Sequence, residues 1–277
     1  DGEIDKTTVA ENSKLVANED GTYGVADAAV AEVKGEKYYT LAEAFNAAEN
    51  NATVKLLDDC DVENTIIVDG GRAVTLDLNG YNVELSISKT MILVKDGKLD
   101  VVGKGKIYEA QPYYAPIMLR GSNEDVANYS VVNIGKDVTL EGWAGVFINQ
   151  TTGQNNYGMV ANIQGTLNSV KDSDGAAGDA VYVNGVINHT EGNVPVINLD
   201  GATLNSEGLG MYLAGYAKTN IKNTQITGKL TGIEIRAGEL TIDGAETLIR
   251  STADQTIVEG NGNGSTADGV ALAVDQH

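Results

Sequence analysis

The sequence predicts an all-β fold, a parallel solenoid entered through one short α-helix. Three observations point there. Glycine is abundant, 33 of 277 residues, while proline is scarce at 3; ordinary usage is nearer 7% and 5%. Two short strand templates alternate along the chain in a fixed order. Their copies recur at a spacing that matches one turn of a repeat solenoid.

The first template is an acidic or amide residue, an apolar residue, any residue, then Gly or Asn. It reads Asp77-Leu78-Asn79-Gly80, Asp100-Val101-Val102-Gly103, Asn162-Ile163-Gln164-Gly165, Asn198-Leu199-Asp200-Gly201 and Asn220-Ile221-Lys222-Asn223. Asn133-Ile134-Gly135 is one residue short, and Thr241-Ile242-Asp243-Gly244 opens on Thr. Successive starts lie about 23, 33, 29, 36, 22 and 21 residues apart. An apolar residue follows shortly after, as in Val83, Ile107, Leu204 and Ile226.

The second template is apolar, variable, apolar: Ile92-Leu93-Val94, Ile117-Met118-Leu119, Val146-Phe147-Ile148, Val181-Tyr182-Val183, Met211-Tyr212-Leu213, Ile233-Glu234-Ile235 and Val270-Ala271-Leu272. Period-two alternation turns the flanking aliphatics inward and the middle residue outward. Each coil thus supplies at least two strands, with Gly at corners that call for positive φ. An antiparallel sandwich would join its strands by tight, evenly spaced hairpin turns, and two alternating templates suit a solenoid better.

The amino-terminal part differs. Thr40-Leu41-Ala42-Glu43 is a capping box, and Leu41, Ala44, Phe45 and Ala48 follow at helical spacing. A helix near 40–49, ended by Asn50-Asn51, is expected to cap the open first coil, which a solenoid needs covered. Residues 1–32 carry no strong pattern and read as an extended or partly disordered leader. Residues 33–277 read as one domain that stops within its last coil, and the non-Met start reads as a mature or trimmed product.

The formal charge is -20. Such a chain repels phosphate backbones and anionic lipid, so nucleic acid is excluded as a partner, and no apolar run is long enough for membrane insertion. Cys60 is alone and sits among Asp58, Asp59 and Asp61, whose charge disfavours a thiolate.

Residues 35–45, 52–57 and 74–81 resemble a module of large exported surface proteins of gut-type bacteria, particularly Gram-positive ones. Asp20-Gly21-Thr22-Tyr23 and Gly262-Asn263-Gly264-Ser265-Thr266 add to that likeness. The whole repeat is similar to the right-handed parallel β-helix, or pectin-lyase-like, superfold. The resemblance implies an extracellular protein at the bacterial cell surface; a monomer is expected, with host or environmental glycans or surface proteins as partners. It carries over no catalytic residue.

Polysaccharide lyases and glycoside hydrolases share that superfold and form the alternative, as does a purely structural stalk. The Gly-His-Gly turn and Arg-Ile-Lys segment of polygalacturonases are missing, and His189 and His277 stand without partners in the pattern. A paired-carboxylate site would need two acids about 5–10 Å apart. Asp172 and Asp174, with Asp179 nearby, form the best acidic knot for calcium, though without the closing Glu of a full calcium loop; the bland reading is an Asx-rich turn, and no cofactor is expected. Gly260–Gly264 lacks the Lys and helix of a phosphate loop. Asp77, Asp100, Asn133, Asn162, Asn198 and Asn220 should form an outward ladder with a structural role.

The candidate binding residues lie on the other strand. Its outward row runs Leu93, Met118, Phe147, Tyr182, Tyr212, Glu234, and the next runs Lys95, Arg120, Asn149, Asn184, Ala214, Arg236. Phe147, Tyr182 and Tyr212 should stack about 4.8 Å apart per coil. Aromatic faces flanked by Arg120, Asn149, Asn184, Glu234 and Arg236 suit sugar rings. The competing expectation is that the longer loops fold over this stripe and bury it.

Overall fold

The structure, a computed structural model, describes residues 10, 12–18, 20–151, 155–185, 190–257 and 267–274. His189, His277 and Gly260–Gly264 lie outside the described residues. The body is a parallel β-solenoid whose coils each give one strand to three separate sheets. One coil runs Arg72–Asp77, Asn82–Leu85, Ile92–Val94, and the next starts at Gly97–Val102. We name the sheets by their outward side chains: the amide sheet holds Arg72–Asp77, the polar sheet Asn82–Leu85, and the aromatic sheet Ile92–Val94.

Pairing between coils is parallel and in register. Ile92 lies opposite Ile66 and Ile117, Leu99 opposite Val74 and Val132, and Ile107 opposite Val83 and Leu140. Period two then delivers like residues to like places, and the inward rows merge into one continuous aliphatic core. Two templates were visible in the sequence, but each coil has three strands. The third is the short strand carrying Val83, Ile107, Leu204 or Ile226, just after the corner. Cys60 belongs to its inward row, and burial first, then Asp61 and Asp59, pushes its thiol up to about 12.

Two register expectations are corrected. Asp77 lies opposite Val102, and Thr75 takes the place opposite Asp100. At the far end Leu272, not Val270, lies opposite Ile233, so the last triplet is Leu272-Ala273-Val274. In both cases the spacing of apolar residues is preserved under a two-residue shift, so alternation alone could not choose between them.

Among the described residues there is one helix, Leu41–Ala47, shorter than the expected 40–49. Thr40 accepts from the Glu43 N–H, as a capping box requires. The helix stops early because Arg72 Nη1 donates to the carbonyls of Phe45 (3.0 Å) and Ala48 (3.2 Å), satisfying groups that another turn would have used. Leu41, Ala44 and Phe45 are buried in the core, and the helix packs on Ala31–Val33, Glu36–Tyr38 and Cys60–Val62. Within the segment read as a leader, Ser13–Ala17 and Tyr23–Asp27 pair as an antiparallel hairpin. Ala31–Val33 pairs antiparallel with Glu36–Tyr38 and Ala52–Leu56.

Outside the amide sheet the side chains form a one-way chain of hydrogen bonds. Asn220 Nδ2 donates to Asn198 Oδ1 (2.9 Å), Asn198 to Asn162 (2.7 Å), Asn162 to Asn133 (2.7 Å), and Asn133 to Asp100. A carboxylate has acceptors only, so Asp100 suits the receiving end, and Lys98 Nζ sits 3.0 Å from it. The polar sheet repeats the device: Asn205 donates to Asn168, Asn168 to Glu141, and Lys106 Nζ lies 2.6 Å from Glu141. Replacing Asn162 by Ala cuts two links of the longer ladder, whereas Asn220→Ala cuts one. Equilibrium urea unfolding should show Asn162→Ala losing about 1–3 kcal/mol and Asn220→Ala roughly half of that; equal losses would mean the ladder does not act link by link.

Candidate functional site

The loops that join the polar sheet to the aromatic sheet differ in length from coil to coil, and two of them build a cleft over the aromatic sheet. Residues 110–116 bring Tyr113 and Tyr114, and residues 170–180 bring Asp172 and Asp174. Trp143 comes from the short corner between them. Together with Phe147 and Tyr182 of the sheet itself they line a space of about 340 Å3. The rings touch in sequence: Tyr113–Tyr114 at 4.7 Å, Tyr114–Phe147 at 6.1 Å, Phe147–Tyr182 at 4.9 Å and Trp143–Tyr182 at 5.1 Å between centroids. Such edge-on and tilted contacts are the favoured arrangements of aromatic pairs.

One buried carboxylate holds this wall in place. Glu109 occupies an inward position of Gly105–Glu109. It accepts from the backbone N–H groups of Trp143 (3.0 Å), Tyr114 (3.2 Å) and Tyr113 (3.4 Å). Burial raises its pKa, and those three bonds oppose the rise. Gly178 matters at the same corner: a Cβ there would run into the Trp143 carbonyl, so the loops close only around a residue without one.

The sequence-predicted residues divide. Phe147 and Tyr182 join Asp172 and Asp174 in the cleft. Phe147 is not an exposed platform, since with Met91, Leu93, Ala115, Met118 and Ala144 it forms a satellite core beneath the loops. Tyr212 is half-buried and continues the row at 5.4 Å from Tyr182, outside the cleft lining. The Arg236 guanidinium stacks over it at 5.5 Å and donates through Nε to Glu234 (2.7 Å) in a buried ion pair. Glu234 and Arg236 therefore lie inside the protein, not on a sugar-facing rim. Asn149 and Asn184 form a further ladder, with Asn184 donating to Asn149 (3.0 Å) and Asn149 to the Met118 sulfur (3.3 Å). Arg120 is exposed beside it.

Asp172 and Asp179, two of the acidic residues offered for calcium, accept hydrogen bonds from backbone N–H groups of the chain itself. Asp172 Oδ1 is an Asx-turn acceptor for the N–H groups of Asp174 (3.0 Å) and Ala176 (2.8 Å). Asp179 is buried and accepts from the Leu209 N–H (2.8 Å). Among the described residues no three His, Cys, Asp or Glu side chains are grouped to hold a metal ion.

The sequence reading missed Tyr113, Tyr114, Trp143 and Glu109. Two signals could have found them. Pro112 and Pro116 bracket the tyrosine pair in a chain with 3 prolines, and rigid flanks mark a shaped loop. Glu109 is an acid in the inward phase set by Ile107.

Comparison with protein-family models, curated proteins and solved structures finds no match for this chain. No helix among the described residues is long and apolar enough to cross a membrane.

Asp179 gives a pH signature. Desolvation, with Glu234 adding to it, raises its pKa to about 7, against the Leu209 hydrogen bond. An acid raised in the folded state holds a proton that the unfolded chain has already lost. Its stabilisation is complete below about pH 4 and disappears as pH climbs to 7, amounting to at most roughly 4 kcal/mol. Asp179→Asn keeps the acceptor for Leu209 and removes the titration. Thermal or urea unfolding from pH 4 to 8 should show the wild type losing stability relative to the variant up to pH 7, with a constant difference above it. Parallel curves throughout would assign the titration elsewhere.

Proposed function

We propose that this chain is a non-catalytic carbohydrate-binding module of a bacterial cell surface. In this reading it is a right-handed parallel β-helix whose first coil is capped by the helix Leu41–Ala47, and it is extracellular. Its partners are host or environmental glycans. The capping assignment is supported by the burial of Leu41, Ala44 and Phe45 against the start of the core.

The observation that carries the binding assignment is the cleft itself. Aromatic side chains from three separate segments converge on one open space with Asp172 and Asp174 at its side. Ring faces take the CH surfaces of a sugar, and carboxylates accept from its hydroxyls. Tyr113 is 41% exposed and so offers stacking area to a ligand. With 39 acids against 19 bases, the surface favours neutral or cationic glycans over polyuronates. A structural stalk is the second reading, favoured by the burial of Met118 and Phe147 under the loops.

The single tryptophan of the chain lines the cleft, so intrinsic fluorescence reads its occupancy. A glycan array followed by fluorescence titration of the best ligand should show at least a tenfold affinity loss in Tyr113→Ala and Tyr182→Ala. Tyr212→Ala should bind like wild type. Equal binding by all variants would move the site elsewhere, and absence of any glycan ligand would favour the stalk.

A further inference from the structure

We infer that the sugar recognised by the aromatic cleft carries a positive charge, an unacetylated hexosamine whose amine is protonated. This rests on the carbohydrate reading and narrows it. The described lining contains two carboxylates and no basic side chain. The tyrosine hydroxyls and the Trp143 indole N–H can serve a neutral sugar, which has no need of a lining whose charged groups are all acids. Ring faces carry negative quadrupole potential and attract an ammonium group, and nearby carboxylates add to the same field. The Tyr113 face can hold a cation, since Lys89 Nζ of the chain itself lies 4.4 Å from the ring centre, and a sugar ammonium would take that place by displacing the lysine.

The geometry also supplies a clean variant. Asp172 holds its turn through Oδ1 alone in the bonds to Asp174 and Ala176, and Asn retains that oxygen. Asp174 is exposed. The double change Asp172→Asn/Asp174→Asn therefore removes charge and leaves the turn.

The test compares three oligosaccharides of equal length and linkage at pH 6: oligomeric glucosamine, its N-acetylated form, and the glucose oligomer. Trp143 fluorescence and calorimetry report binding. The glucosamine oligomer should bind at least tenfold more tightly than the other two. The double Asn variant should lose that preference, binding the glucosamine oligomer no more tightly than the glucose oligomer, and Tyr113→Ala should weaken all three. Equal affinity for the three sugars overturns the inference and leaves the carbohydrate reading standing. No binding of any sugar removes both. Preference for glucosamine that survives both the Asn and the Tyr113→Ala changes assigns it to the overall charge of the protein, which also overturns the inference.

Discussion

Everything in this molecule depends on in-register parallel pairing between coils. Each strand both donates to and accepts from the coil on either side, so every coil must bring its backbone back to the same height and phase. A one-residue slip would turn the aliphatic rows outward. Period-two alternation in three short strands meets this demand, and the corners absorb what remains. Gly80, Gly103, Gly201 and Gly244 do so through positive φ. Gly121 and Gly165 do so by close approach, since a Cβ there would strike the backbone of Asn156 and of Val138.

Stacking places identical side chains above one another, and polar ones must then pair along the stack. Asn can both donate and accept, so it propagates a ladder. Asp and Glu only accept when ionised and so terminate one. That difference explains why Asp100 and Glu141 sit at the receiving ends, each beside a lysine. The ladders give a structural use to side chains that, read singly, resemble a polar binding face.

The repeat made the solenoid legible because its signal is redundant: seven copies of one template outvote any single irregular coil. Phase errors survived only where the vote was weak, at Asp77 near the first full coils and at Val270 in the last strand. The cleft was half legible. Phe147 and Tyr182 belong to the periodic row and could be placed, whereas Tyr113, Tyr114 and Trp143 stand on non-repeating corners, where no periodicity assigns a direction. Glu234 and Arg236 fit the outward phase, yet their burial depends on how neighbouring side chains and loops close over them, which alternation does not encode.

The buried polar groups show how a repeating scaffold accommodates non-repeating loops. A loop that leaves the ladder strands its own N–H and C=O groups, and these need partners inside the protein. At the corner between the polar and aromatic sheets the partners come from inward positions that an aliphatic core would otherwise fill. Glu109 takes three N–H groups from the cleft loops. Ser169 and Ser206 both donate to the Gly178 carbonyl, at 2.8 and 2.7 Å. Asp179 takes the Leu209 N–H two residues before the next strand triplet. The carboxyls with raised pKa are thus concentrated where the loops diverge, because satisfying loop backbone requires acceptors in a desolvated place. The same constraint that keeps the coils uniform leaves variation to the corners, and the corner between the polar and aromatic sheets is where the chain gathers its aromatic rings and carboxylates into a cleft.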